Sequence, residues 1–154
     1  HPVQDLMERE GELFADEPYE VRWALHPLES GKEAAGGVPE HVLQADYVVT
    51  DYSSIVYEAY LLGKRVAFFV PDIDYYLKSP GLNVDPTKVC PGLCAQDQET
   101  LLRKLRAWAK DPASYPQGEL DAFVGGMFEG SGDDPAEDLA RFVMGKLSKG
   151  EGDR

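Results

Sequence analysis

The chain has 154 residues, 43% hydrophobic and 28% charged, the composition of a globular protein long enough to bury a core. Its formal net charge of −13 argues against nucleic acid and anionic lipid as partners, because binding to both depends on lysine and arginine. No apolar run reaches the length of a membrane-spanning helix, so we expect no direct membrane segment.

Three elements are predicted before residue 45. The spacing of apolar residues indicates an amphipathic helix over residues 3–14. Residues 19–25 (YEVRWAL) predict a strand that ends at His26, because Pro27 lacks a donor and forces the preceding residue into an extended conformation. A short helix is predicted over residues 39–43.

A strand–turn–helix–strand unit follows. Residues 45–50 are apolar at their centre, which is typical of a parallel strand covered on both faces. A helix is predicted over 54–62, with Ile55, Ala59 and Leu62 on one face and Gly63 as its C-cap. A third buried strand is predicted over 65–70. Two strands joined by such a helix form a right-handed βαβ unit.

The remaining elements complete an alternating pattern. They are a polar aromatic loop over 72–85, an edge strand within 88–95, a helix over 100–109, a Gly- and Pro-rich connection over 112–132 and a helix over 135–147. The inward face of the helix over 100–109 is predicted to carry Leu101, Leu102, Leu105 and Trp108. Alternating strands and helices predict an α/β fold, with a Rossmann-like, mostly parallel sheet and helices on both faces. We expect one nucleotide-binding domain over 1–147 and a disordered tail over 148–154.

The two cysteines, Cys90 and Cys94, are separated by three residues. No histidine or further cysteine accompanies them, so this spacing predicts buried or half-buried thiols rather than a metal site. We expect neither a metal nor a cofactor.

Polar residues follow each predicted strand. In open α/β sheets, ligands bind beyond the carboxyl ends of the strands. His26, Thr50-Asp51 and Pro71-Asp72 all follow such ends, and we expect them at one edge of the sheet.

The turn formed by Thr50, Asp51, Tyr52, Ser53 and Ser54 carries the strongest functional signal. It sets two hydroxyls and unpaired N–H groups at a helix start, where the helix dipole favours an anion, so it is suited to bind a diphosphate. The alternative is an ordinary N-cap, in which a serine or aspartate oxygen satisfies the first amides.

Further candidates have two interpretations each. Glu58, one turn into the helix, can accept hydrogen bonds from a ribose diol or can be a solvated or capping glutamate. His26 titrates near neutral pH and can assist a leaving phosphate, or it is an ordinary surface histidine. Tyr75, Tyr76 and Lys78 either line a base or acceptor pocket or pack under their loop.

The run from Ala45 to Pro71 resembles the CDP-glycerol glycerophosphotransferases, which build teichoic-acid-type poly(glycerol phosphate) chains. The matching features are the T-D-Y-S-S turn, the aromatic-acidic pair Tyr57-Glu58, the stop Gly63-Lys64-Arg65 and the strand Val66–Phe69. The resemblance extends from about residue 20 to residue 110. Outside the central run, the matching features are Leu25-His26-Pro27, the 72–85 loop with Tyr75, Tyr76, Gly81 and Asp85, Cys90-Pro91-Gly92 and Glu99–Leu102.

The resemblance implies a GT-B enzyme of two Rossmann-like domains, of which this chain is the C-terminal, nucleotide-holding one. It implies that Ser53 and Ser54 contact the diphosphate, that Glu58 holds the ribose and that His26 assists the leaving phosphate. The chain begins at His1 without methionine, and we expect a piece of a larger enzyme whose missing N-terminal domain supplies the acceptor-side base. The piece alone is expected to be inactive.

The implied reaction transfers glycerol phosphate from CDP-glycerol, or another nucleotide-diphosphate donor, to a hydroxyl acceptor in cell-envelope polymer synthesis. The expected location is cytoplasmic, with peripheral attachment to the inner face of the membrane through the parent protein left open. Leu28-Glu29 and residues 135–138 depart from the family pattern. Two alternatives therefore stay open: a UDP-type glycosyltransferase or epimerase domain, and a degenerate, non-catalytic nucleotide-binding or interaction module.

Overall fold

The structure is a computed structural model that describes residues 6–15, 17, 19–23 and 40–128. The chain divides into two compact units, residues 1–124 and 125–154, and in the second unit only residues 125–128 are described. The single domain predicted over residues 1–147 stays a prediction. The predicted helix at 135–147 and the tail at 148–154 lie outside the described residues.

The described residues form short helices around a small sheet. In chain order the elements are α1 (Glu10–Leu13), α2 (Glu40–Gln44), β1 (Tyr47–Thr50), α3 (Ile55–Leu61), β2 (Arg65–Phe69), α4 (Ile73–Tyr76), α5 (Pro86–Val89), β3 (Cys94–Ala95), α6 (Gln98–Lys110) and α7 (Gln117–Phe128). Two 3-10 turns, Pro91–Leu93 and Pro112–Ser114, precede β3 and α7 respectively.

Within the described part of the chain, the sheet contains three parallel strands in the order β1-β2-β3. Val48 lies opposite Val66, and Phe68 lies opposite Thr50 on one side and Cys94 on the other. The central strand β2 is buried from Val66 to Phe69, as its unbroken apolar run requires of a strand covered on both faces. This confirms the prediction of a Rossmann-like α/β fold with a parallel sheet.

The βαβ unit contains the predicted strands and helix, but the buried residues of the helix differ in part from the predicted face. Gly63 adopts φ 69°, and Lys64 N donates to Ala59 O, which is the hydrogen bond of a glycine C-cap. Val56 and Ala59 are the buried residues of α3. Leu62, predicted to share a face with Ala59, is 39% exposed because it lies beyond the last helical turn.

Two long helices close the core around β2. Along α6 the buried residues are Leu101, Leu102, Leu105 and Trp108, which confirms the predicted inward face. Asp97 begins this helix by accepting a hydrogen bond from Thr100 N at 2.7 Å. Within α7, Phe123 packs edge-on against Phe68, with ring centroids 5.1 Å apart.

The strand predicted over 19–25 is wrong for its described part, because residues 19–23 lie outside the sheet. Their aromatic rings pack toward α1 instead. Tyr19 and Trp23 each contact the ring of Phe14 at 6.3 Å, and Trp23 Nε1 donates to Glu10 Oε2 at 2.6 Å. The alternating pattern reflected this side-chain packing rather than strand pairing.

Two other segments also differ from the prediction. The edge strand within 88–95 is reduced to Cys94–Ala95, because Asp85 caps α5 and Pro86 occupies its first turn. Cys90 and Cys94 are free, buried thiols, as expected. The connection predicted over 112–132 contains α7, since burial of its apolar side chains outweighs the low helix propensity of its glycines.

Candidate functional site

The T-D-Y-S-S turn lies at the carboxyl edge of the sheet, between the end of β1 and the start of α3. Thr50 is the last residue of β1 and is only 5% exposed, so its buried side chain fixes the first residue of the turn. Ser53 and Ser54 are both exposed. The turn therefore presents two hydroxyls to solvent where ligands bind in open α/β sheets.

The hydrogen bonds of this turn fit the N-cap interpretation at two residues and leave the hydroxyl of a third available for a diphosphate. Asp51 Oδ1 accepts from Ser53 N at 3.1 Å, and Ser53 Oγ accepts from Ile55 N at 3.4 Å, so these two side chains act locally as caps. Ser54 occupies the N-cap position of α3, yet its side chain makes no capping hydrogen bond. Its hydroxyl is thus not committed to capping.

Glu58 lies four residues after Ser54 and is exposed. Residues separated by four lie on the same face of an α-helix, about 6 Å apart along its axis. A hydroxyl and a carboxylate are thereby presented in line along α3, a spacing compatible with a phosphate and a neighbouring sugar.

Asp51 is a half-buried carboxyl group. Burial raises its pKa, three backbone N–H groups including that of Ser53 oppose the shift, and the nearby negative charge of Asp72 raises the pKa further. Asp51 and Asp72 follow different strands, so this coupling shows that the polar residues after β1 and β2 meet at one edge.

Tyr52 joins the same two segments directly. Its hydroxyl donates to Asp72 Oδ1 at 2.9 Å, and its ring stacks on that of Tyr76, with centroids 3.9 Å apart and planes inclined by 25°. Burial and the bond to Asp72 raise the pKa of Tyr52 far above its usual value, so the phenol remains a donor. The sequence did not predict this role of Tyr52. The signal that could have suggested it is a tyrosine in a polar turn directly after one strand, with an aspartate directly after the next strand.

The other candidate residues fall into three groups. His26 lies outside the described residues. Tyr76 stacks on Tyr52, so its ring packs against the turn after β1. Tyr75 is 67% exposed and Lys78 is also exposed, so both remain accessible to a ligand.

Among the described residues, no group of three or more His, Cys, Asp or Glu side chains is arranged to hold a metal ion. Within the same residues, no helix is both long and apolar enough to cross a bilayer.

Curated relatives of this chain are enzymes of teichoic acid synthesis. The teichoic acid glycerol-phosphate primase of Bacillus subtilis is 25% identical over 107 residues, which cover 70% of this chain and 26% of the primase. The teichoic acid poly(ribitol-phosphate) polymerase of Bacillus spizizenii is 27% identical over 115 residues, 75% of this chain and 17% of the polymerase. The chain thus spans about a quarter or less of these relatives. No solved structure matches it significantly.

A family model described as CDP-Glycerol:Poly(glycerophosphate) glycerophosphotransferase matches residues 35–145. The match covers most of the chain and includes the T-D-Y-S-S turn, Glu58 and the segment after β2. It confirms the resemblance drawn from those residues. The chain belongs to the CDP-glycerol:poly(glycerophosphate) glycerophosphotransferase family.

Proposed function

We propose that this chain is the donor-nucleotide-binding domain of a transferase that moves glycerol phosphate from CDP-glycerol to a hydroxyl acceptor during cell-envelope polymer synthesis. The observation that carries the proposal is the exposed pair Ser53 and Ser54 at the start of α3, one turn ahead of Glu58, in a chain of this family. The diphosphate would lie at the serines and the ribose diol at Glu58.

The turn suits a diphosphate in its hydrogen-bonding capacity. Serine hydroxyls donate to non-bridging phosphate oxygens, and the uncommitted hydroxyl of Ser54 loses no capping bond when it does so. Thr50 and Asp51 would act indirectly, Thr50 as the buried end of β1 and Asp51 by holding Ser53 N–H. Asp51 and Asp72 are acidic, and residues 50–54 include no lysine or arginine, so the turn has no positive charge to offset that of a diphosphate. We therefore assign neutralisation of the diphosphate to groups outside it.

The proposed reaction is a phosphoryl transfer. An acceptor hydroxyl attacks the β-phosphorus of CDP-glycerol, its proton passes to a base, and the bond to the leaving CMP breaks. The base would come from the acceptor domain of a two-domain GT-B enzyme, and His26 would hydrogen-bond or protonate the departing phosphate. Catalysis would rest on positioning and on stabilisation of developing charge.

A second donor is supported by one observation. The polymerase that aligns with 75% of this chain carries poly(ribitol-phosphate) in its name. A site that holds the nucleotide through its diphosphate and ribose would accept ribitol phosphate in place of glycerol phosphate, because the two donors differ only beyond the β-phosphate.

Calorimetric titration with CDP, UDP and CDP-glycerol tests the proposal. We expect CDP and CDP-glycerol to bind, and the Ser53→Ala/Ser54→Ala variant to bind both at least about tenfold more weakly, since two hydrogen bonds to a charged group are lost. Ser114→Ala is the matched control, because Ser114 is another exposed serine but lies in the turn before α7. A preference for UDP would favour the sugar-nucleotide alternative. No binding by any of the three would contradict the proposal and favour an interaction module.

A further inference from the structure

We propose that Tyr52 is a positioning residue that couples the diphosphate turn to the segment after β2, so that the orientation of Ser53 and Ser54 depends on Asp72. The inference that this coupling serves ligand binding rests on the proposed function. The coupling itself is a property of the free protein and can be tested without a ligand.

The hydrogen bonding of Asp72 is the first argument. Asp85, Asp97 and Asp111 occupy N-cap positions, and each accepts a hydrogen bond from a backbone N–H of the helix it begins. Asp72 occupies the same position before α4 but makes no such bond. Its Oδ1 accepts from Tyr52 instead, at 2.9 Å. A side chain suited to stabilise its own helix is thus used to hold the turn after another strand.

The contact between Tyr52 and Tyr76 is the second argument. Their rings stack at 3.9 Å, so α4 holds the Tyr52 side chain through Asp72 at one end of the helix and through Tyr76 at the other. Two contacts at different points fix both the ring plane and the direction of the phenol.

The position of Tyr52 in the chain makes this restraint relevant to the site. Tyr52 directly precedes Ser53, whose N–H is held by Asp51 and whose hydroxyl bonds Ile55 N. The two contacts that hold the Tyr52 side chain restrain the backbone of the residue directly before the two serines. The phenol is therefore placed to set the geometry of the two hydroxyls without touching the ligand itself.

Amide exchange and chemical shifts in the free chain provide the first test. Tyr52→Phe keeps the stacked ring and removes only the hydroxyl, whereas Asp72→Asn keeps an acceptor oxygen and Asp72→Ala removes it. We expect the amides of Ser53, Ser54 and Ile55 to shift and exchange faster in Tyr52→Phe and Asp72→Ala. Asp72→Asn should restore them toward the wild type.

The matched control is Tyr60→Phe. Tyr60 is also near an aspartate, since the negative charge of Asp121 raises its pKa, but it lies near the C-terminal end of α3. This variant should leave the turn amides unchanged, and all four variants should retain a cooperative melting transition. Unchanged turn amides in both Tyr52→Phe and Asp72→Ala would overturn the coupling.

Affinity for CDP provides the second test. Tyr52→Phe and Asp72→Ala should each weaken binding roughly three- to tenfold, which is the effect of one lost hydrogen bond, and Asp72→Asn should weaken it less. The double variant Tyr52→Phe/Asp72→Ala should be no weaker than either single variant, because both remove the same link. Wild-type affinity in Tyr52→Phe would overturn the positioning role. If the wild type itself binds no nucleotide, the proposed function fails, while the amide data still decide the coupling.

Discussion

The phenol of Tyr115 occupies the edge of the central strand at Val66, forming two hydrogen bonds with that residue's backbone. Val66 N donates to the Tyr115 hydroxyl at 2.8 Å, and the hydroxyl donates to Val66 O at 3.0 Å. Strand β3 pairs with β2 at Phe68 and Phe69, so among the described residues no strand pairs with Val66 on that side. A side chain 49 residues away along the chain takes the place of that strand.

Replacing Tyr115 with phenylalanine should destabilise the protein by about 1–3 kcal/mol, because two buried backbone groups lose their partner. Urea denaturation followed by circular dichroism measures this change. Tyr75→Phe is the control, since Tyr75 is mostly exposed. Equal midpoints for Tyr115→Phe and the wild type would show that water replaces the phenol without cost.

The same phenol predicts a loss of stability at alkaline pH. Burial raises the pKa of Tyr115 to about 12, above its ordinary value near 10. The folded protein then binds more protons than the unfolded chain, so this contribution is complete below about pH 10 and is lost as the pH rises toward 12. Unfolding free energy measured from pH 8 to 12 should fall less steeply in Tyr115→Phe. Because burial raises the pKa of Tyr19 to about 12 as well, part of the slope should persist. Identical slopes in the variant and the wild type would contradict the assignment.

Gly92 is predicted to resist substitution because Glu119 approaches it closely. Gly92 N donates to Glu119 Oε2 at 2.7 Å, and a Cβ at Gly92 would lie 2.6 Å from Glu119 Oε1. The carboxylate must then move and the hydrogen bond is lost, so Gly92→Ala should cost about 1–2 kcal/mol. Gly118→Ala is the control, because a Cβ there meets nothing within 4 Å. Thermal melting of both variants tests this, and equal melting temperatures would contradict it.

Glu58 is predicted to affect binding but not stability. It is exposed on α3, where its carbonyl accepts a hydrogen bond from Leu62 N at 3.0 Å. Glu58→Gln should weaken CDP binding by about 1–2 kcal/mol, since an acceptor for the ribose diol is replaced by a weaker one, and should leave the melting temperature unchanged. Glu99→Gln, an exposed glutamate in the first turn of α6, should change neither quantity. The affinities of both proteins for CDP and for 2′,3′-dideoxy-CDP provide the counter-test. If neither the wild type nor Glu58→Gln distinguishes the two nucleotides, Glu58 does not bind the ribose diol.

Local sequence signals predicted the centre of the fold well. The apolar run of β2, the glycine stop at Gly63 and the inward face of α6 each depend on residues close together in the chain. The family resemblance also came from one contiguous stretch. Signals of this kind are read directly from spacing, because burial and capping act over a few residues.

Features that depend on distant partners were not predictable in the same way. The pairing of Tyr115 with Val66 and of Tyr52 with Asp72 links residues that only folding brings together. The alternating pattern at residues 19–23 reflected aromatic packing. The glycines of α7 predicted a loop, although burial of its apolar side chains stabilises a helix there. In the site, Ser54 and Glu58 could be proposed from sequence, whereas the restraint on the turn could not.

We propose that the exposed turn at the start of α3 binds the diphosphate of a CDP-linked donor. Titration of the isotopically labelled chain with CDP, followed by amide chemical shifts, is the decisive experiment. We expect the largest shifts at Ser53 and Ser54, with smaller ones extending to Glu58, and we expect them to disappear in Ser53→Ala/Ser54→Ala. Absence of any shift, or shifts confined to residues remote from the turn such as those of α6, would contradict it.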